Sequence, residues 1–530
     1  MSPSDARNGR PPPPLLGRRD LLRGAAIGLG MGGIPEILPT VAAGASSDTT
    51  PKRDLVVLQW SDLTALDPHA ASYATDCRVL SNIFDTLVRR HPDGTLHPAL
   101  ATAWTRTGPT AWHLTLRPDV RWHDGTRFTA VDAKYSLDRT FDPSVKAARL
   151  LQLLQTIERT ETPDPGTLVI HTKRPDLLIP ARLAAWGHMV PWTYVDRVGF
   201  TGFNRQPMGT GPLRFVSWTK GDQCVLEANP DYWGGRLDLD RVIFRPVPDP
   251  AARVEALLRG DADLITQLSP AHGERVTAHP STRIVGAPYA GLYVLAVNAL
   301  AAPLNQPLVR QALSLAVDRD TLVKEVWRGR GVVPSGPIPR GDNHHDHSLP
   351  PLAYSPREAR ERLRRAGYRG EPVVIETTVG YIANDKAMTT AIAEMWEDVG
   401  VTVVVEVIDP AVRHQKNRQQ GFKGVWWSDP TSLLRDPDGM MGRLLSPGQM
   451  HDYWRHPEFD RLAVEARFSA DEGLRGDAYR RMTAIFLEQN PWIVVIQPFE
   501  DYGIRRYVEF TPSPDQQLEL RRYNFRLRRA

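Results

Sequence analysis

The amino-acid sequence predicts an α/β protein of two lobes joined by a hinge, with an extra β-rich subdomain in the first lobe. Three observations carry that expectation. AWHLTLRPDVRWHDGTRFT, residues 111–129, alternates apolar and polar side chains around Pro118 and an Asp124-Gly125 turn, the pattern of hairpins. EPVVIETTV, NDKAMTTAIAEMWEDVG and VTVVVEVI, between residues 371 and 408, read as strand, helix and strand, a crossover that implies parallel pairing. Strand-like runs at YVLAVNALAAPLN, residues 293–305, and PWIVVIQPFEDYG, residues 491–503, are placed to carry the chain between lobes, and two such connections make a hinge.

The elements follow in order. DLVVLQW from Asp54 is a short buried strand, and the loop Leu66-Asp67-Pro68-His69 leads to an apolar helix around Val79 to Leu87. GTGPLRFVSWTKGDQCVLEANPDYWGG, residues 209–235, gives two strands joined by a Lys220-Gly221-Asp222 turn and ended by Gly234-Gly235. Beside Asn229-Pro230, Tyr232 and Trp233 are expected to pin a turn against the sheet rather than to offer a carbohydrate platform. PLVRQALSLAVDRDTLVKEVWRG, residues 307–329, reads as two helices, the second capped by Asp318. Ser355-Pro356-Arg357-Glu358 is a capping box with proline at the first helical position, Ala359, Leu363 and Ala366 share a face, and Gly367 ends the helix. The resulting division is residues 46–297 for the first lobe, with the subdomain at about 95–225, residues 298–496 for the second, and 497–530 returning to the first.

At 530 residues the chain exceeds what one core can bury, so two or three domains are expected. The net charge of +4 is small, and five arginines against three acids in the first 45 residues supply +2 of it. No dense basic face marks a nucleic-acid protein, and the closing RRYNFRLRRA is too local to make one. Residues 1–45 read as a removable export signal of twin-arginine type: Arg18-Arg19 precedes a weakly apolar stretch from Gly24 to Ile34 and a small-residue site at Ala43-Gly44-Ala45. Gly28, Gly30 and Gly33 fit G-x-G-x-x-G, but lack the flanking strand and helix of a dinucleotide site. Cys77 and Cys224 are the only cysteines, expected as buried free thiols although pairing is open in an oxidising compartment.

Local signatures of metalloproteases, α/β-hydrolases, NTPases and zinc modules are missing, so neither cofactor nor resident metal is expected. His344-His345-Asp346-His347 resembles a ligand set on paper, yet in GDNHHDHSLPP consecutive side chains diverge, and a solvated loop is the expectation. VWWSDPTSLLRDPDG, residues 425–439, puts two indoles beside three aspartates and an arginine, which would suit a ligand carrying apolar and cationic groups. Asp429 and Asp436 as an acid and base pair would instead make a secreted carboxylate hydrolase, the enzymatic alternative.

Ordered along the chain, ALDPH (65–69), HPDGTLHPALATAW (91–104), LTLRPDVRWHDGTRFTAVDAKYSLDR (114–139), GTGPLRF (209–215), LEANPDYWGG (226–235), VRQALSLAVDRDTLV (309–323), YSPREARERLRRAGY (354–368) and MWEDVGVTV (395–403) resemble solute-binding protein family 5, the oligopeptide, dipeptide and nickel binding proteins of ABC importers. The resemblance covers nearly the whole chain after the signal. It implies the periplasmic-binding-protein fold and a monomer that captures a peptide-like solute and hands it to an inner-membrane permease, without chemistry. A nickel or metallophore binder of the same fold is the alternative. Carried over position by position, it implies ligand contacts from Tyr73, Arg149 and Arg418, from the wall Trp426, Trp427 and Asp429, and from Asp436 as the rival to Asp429 for a peptide's amine. The family's Gly-Trp-then-acid spacing is altered here to WWSDP, which is where ligand choice would differ.

Overall fold

The computed structural model describes residues 53–71 and 74–528, so the export signal and Tyr73 lie outside the described residues. A single mixed sheet runs through both lobes. On the second-lobe side its strands follow the order Val403–Val407, Val373–Thr377, Val425–Ser428, Tyr293–Val297 and Trp492–Arg505. The order continues into the first lobe as Leu264–Ile265, Asp54–Gln59, Arg241–Pro246, Gln223–Ala228 and Leu213–Thr219.

Trp492–Arg505 belongs to both halves. Its first residues pair antiparallel with Tyr293–Val297 and its last with Thr282–Pro288, so two strands consecutive in the chain lie end to end along one long partner. Among the described residues, the paired strands define two connections between the lobes, running from Pro288 to Tyr293 and from Ile496 to Phe499. Apolar residues explain why the tracks hold: WIVVI fills the second-lobe core, and Tyr502 and Ile504 join the first-lobe core. A hinge of two strands permits rotation while keeping each lobe packed.

The strand-helix-strand expectation is met by Val373–Thr377, the helix Asp385–Asp398 and Val403–Val407, the strands in parallel register. Ser355 accepts a hydrogen bond from the Glu358 amide at the start of Pro356–Arg365, and Asp318 accepts one from Thr321. After Asp318 the helix is short, passing from Arg319–Thr321 into a π turn at Leu322–Val326.

A separate antiparallel sheet of Ala101–Gly108, Ala111–Leu116, Thr167–Thr172 and Ile157–Asp164 forms the β-rich subdomain over its own core, which includes Trp112, Leu114, Trp122 and Phe128. Leu213–Thr219, within the expected bounds of that subdomain, and Gln223–Ala228, which straddles their end, join the main sheet beside Arg241–Pro246. Alternation marks a half-buried strand without saying which partner covers it.

Several motifs prove to be clasps. Tyr232 Oη and Trp233 Nε1 both donate to the buried carboxylate of Asp85, at 3.1 and 2.9 Å, which pins the NPDYW turn. Asp67 of ALDPH holds Arg139 at 2.7 Å, and Arg319 of AVDRD donates to the carbonyls of Val494 and Ser314. In GTGP the backbone at Gly211 passes so near the helix Ala74–Ile83 that a Cβ would lie 2.5 Å from the Asn82 carbonyl oxygen. Cys77 and Cys224 are both buried and unbonded.

Candidate ligand-binding site

Val425–Ser428 is an interior strand, parallel to Val373–Thr377 on one side and antiparallel to Tyr293–Val297 on the other. All four of its residues are buried. Adjacent residues of a strand point to opposite faces, and here both faces are covered. Trp427 donates its indole N–H to Thr389 Oγ1 at 2.7 Å on the helix Asp385–Asp398. On the other face Trp426 stacks on Phe422, rings 4.2 Å apart and 6° from parallel, with Tyr453 and His451 against its edges. Their exposures are 0% and 1%. The two indoles expected to line a pocket are therefore core residues of the second lobe, a correction that follows from the strand's interior place.

Asp429 differs because it is the first residue beyond that strand, at the carboxyl edge where open α/β sheets bind ligands. The Tyr381 hydroxyl bonds to its carboxylate, and the Arg413 guanidinium lies 3.5 Å from the centre of the Tyr381 ring. Thr431 Oγ1 donates to the Asp429 carbonyl at 3.2 Å and is itself hydrogen-bonded to the Tyr289 hydroxyl. Burial raises the Asp429 pKa above the usual carboxylate range, opposed by Tyr381, Arg413 and Arg149. Tyr289 stands between Thr282–Pro288 and Tyr293–Val297, on the hinge itself, with the Tyr293 ring 6.4 Å away.

Arg149 reaches the same place from the first lobe. It sits on the helix Ala148–Leu154, its guanidinium 3.2 Å from the centre of the Trp186 ring. Burial lowers its pKa to about 10, with the Asp429 carboxylate among the groups opposing that shift. Arg149 of the first lobe and Asp429 of the second, 280 positions apart in the sequence, lie near enough for their charges to act on one another.

The remaining expectations fall elsewhere. Asp436 is buried in an ion pair with Arg475 at 2.6 Å and accepts the Tyr479 hydroxyl at 3.0 Å, so it is a structural anchor and not a rival for an amine. Arg418 is exposed in the last turn of Pro410–Gln419, whereas Arg413 on the same helix is buried and donates to the Trp427 carbonyl at 2.7 Å. Five residues amount to about 500° of helical rotation, which sets the two arginines on different faces. Tyr289, Tyr293, Tyr381, Arg413 and Arg443 were missed. The available signals were the tyrosines bracketing AGL beside the expected crossing, and the loop after the strand at Val373–Thr377.

In the histidine loop, His344 Nε2 lies 3.0 Å from Glu472 and His345 Nδ1 faces the Ile338 carbonyl at 2.9 Å, while the His345 and His347 rings pack edge to face 4.8 Å apart. Among the described residues no three His, Cys, Asp or Glu side chains converge as a metal site.

The lobes touch around the polar cluster. Leu434 of the second lobe packs among Leu153, Leu178, Ala181 and Ala185 of the first. Asp438 bridges Arg182 of the first lobe at 3.2 Å and Arg467 of the second at 2.6 Å.

Two lobes sharing one long strand, with half-buried polar groups of both lobes meeting at the crossing, define a two-lobed solute-binding protein. The chain belongs to the bacterial extracellular solute-binding proteins, family 5, whose middle-region model matches residues 95–452. It is similar to the glutathione-binding protein GsiB of Pectobacterium atrosepticum, 27% identical over 85% of this chain and 90% of that one. Heme-binding protein A of Haemophilus influenzae is also 27% identical, over 76% of this chain and 78% of its own length. Among solved structures, the periplasmic binding protein DppA of Helicobacter pylori in complex with the peptide STSA superposes with a TM-score of 0.77 at 22% identity, covering 90% of this chain and 98% of that one.

Proposed function

We propose that this chain is exported to the periplasm as a monomer, captures a peptide-like solute between its lobes and delivers it to an inner-membrane ABC permease. The observation that carries this reading is a half-buried carboxylate, Asp429, at the carboxyl edge of the second-lobe sheet, hydrogen-bonded to Tyr381 and within electrostatic reach of Arg149 of the first lobe, beside tyrosines on the hinge. A carboxylate held partly desolvated gains most from a ligand ammonium, and a guanidinium from a ligand carboxylate, so the pair suits a zwitterion. Tyr289, Tyr293 and Tyr381 supply flat walls with polar tips. Such a solute touches both lobes only when they close, and that differential contact biases the hinge toward the closed form a permease would recognise. Family membership supports the reading, as does a relative named for glutathione, itself a tripeptide.

The test is a thermal-shift screen of the exported chain against di- to hexapeptides, opines, glycosides and nickel chelates. A peptide at one hundred times its Kd should stabilise by about 2.7 kcal/mol, raising Tm measurably. Silence from every peptide, with a shift from another class, overturns the peptide assignment.

A further inference from the structure

A cavity of about 260 Å³ lies between the β-rich subdomain and the second lobe. Its charged lining is one-sided: Lys173, Arg174, Arg182, Arg443 and Arg467 face it, with Asp438 as the one carboxylate. Asp438 is shared by Arg182 and Arg467 and also acts electrostatically on Arg443, so the lining sets five cations against one carboxylate. Lys173 donates to the Gln155 carbonyl at 3.0 Å, and the Arg174 guanidinium lies 3.9 Å from the centre of the Phe468 ring.

Arg443 joins the two spaces. It lines the cavity, and the carboxylates of Asp438 and, after it, Asp429 act on it. Its guanidinium donates to the carbonyls of Gly439 at 2.7 Å and Thr431 at 3.5 Å, and among the described residues it forms no ion pair. Burial lowers its pKa, the mark of a cation that lacks full compensation. A half-buried guanidinium with spare donors, aimed along a basic cavity, is the arrangement that recognises a carboxylate bidentately.

We propose that this cavity receives an anionic side group of the solute, a carboxylate held by Arg443 with Lys173 and Arg174 at the rim, so that the protein selects acidic peptides over neutral or basic ones. The assignment deepens the peptide-like reading above and rests on it for the solute's orientation. A ligand amine at Asp429 and an acid at Arg443 would lie on either side of Thr431, a span short enough for one small peptide.

The experiment is calorimetry on the exported chain with Ala-Glu, Ala-Gln and Ala-Lys, and separately with glutarate and glutaramide, which have no amine. Ala-Glu should bind at least tenfold tighter than Ala-Gln, and Ala-Lys weakest. R443Q should erase the difference between Ala-Glu and Ala-Gln, and R443K should restore part of it, which separates charge recognition from damage to the fold. Equal affinities for Ala-Glu and Ala-Gln, or a preference that survives R443Q, overturn the proposal. If no dipeptide binds but glutarate outcompetes glutaramide through Arg443, the peptide reading fails and the anion site stands; if neither acid is preferred, the anion site fails.

Discussion

At the scale of single residues, Asp429 is held at an electrostatic cost that a ligand can relieve. Its carboxylate is desolvated and its partners, Tyr381 and the more distant arginines, compensate only in part. D429N should therefore weaken binding of a free-amine peptide by about 1.5 to 3 kcal/mol, the size of a hydrogen bond to a charged group, while leaving an N-acetylated peptide nearly unaffected. Equal losses for both peptides, measured by calorimetry, would place the amine elsewhere. The raised pKa adds a sign: an ammonium binds the ionised form, so affinity holds above the Asp429 pKa and falls as pH drops through it. Trp427 makes the opposite case. Fully buried and bonded to Thr389, it should cost about 3 to 5 kcal/mol of unfolding free energy on change to alanine, read from denaturant midpoints. A full-stability W427A that merely binds less well would return the indole to the pocket.

At the scale of elements, periodicity and caps were readable and partners were not. The Ser355 cap, the crossover at 371–408 and the strand Ala111–Leu116 follow from residues within a few positions of one another, but that strand pairs with Ala101–Gly108 and Thr167–Thr172, and 111–129 itself holds only a bridge between Arg121 and Arg127. That the hairpin at 213–228 extends the main sheet depends on Val242 and Phe244 of a later strand covering it, which no local pattern encodes. The helix Glu472–Gln489 offers a direct check on local logic. Asp471 accepts from the Gly473 and Leu474 amides, so D471A should cost about 1 kcal/mol in thermal or denaturant unfolding, and a neutral result would mean the cap is replaced by water. Gly211 tests a close approach instead: G211A forces a methyl against the Asn82 carbonyl and should destabilise by about 1 to 3 kcal/mol.

At the scale of the molecule, buried titratable groups set a pH window for stability. Burial lowers the imidazoles of His69 and His123 to about 4 and those of His188 and His451 to about 3, from 6.5. A group depressed in the folded state stabilises it fully above 6.5, and that contribution drains away as pH falls toward 4, by up to about 1.4 kcal/mol per pH unit and group. Glu500 has the opposite sign. Burial raises it to about 7 despite Arg78, so its contribution is present below 4.5 and is lost as pH rises through 7. Thermal unfolding should accordingly be most resistant near pH 6.5 to 7, with a steep loss toward pH 4 that H451Q makes shallower. A flat profile from pH 4 to 7, or an unchanged acid limb in H451Q, would mean that the histidines are not buried neutral.

The sequence by itself determined the lobed α/β class, the two crossings and most element ends, because periodicity, capping and turn chemistry act over short distances. It also supplied the motifs of the family, and these turn out to be scaffold clasps such as Asp67 with Arg139 and Tyr232 with Asp85. Only the tertiary structure decided the site. It buried the tryptophans because their strand is covered on both faces, tied Asp436 to Arg475, and brought Arg149 within electrostatic reach of Asp429. Whether a polar side chain is a ligand contact or an anchor depends on what stands opposite it after folding, and that partner comes from a distant part of the chain.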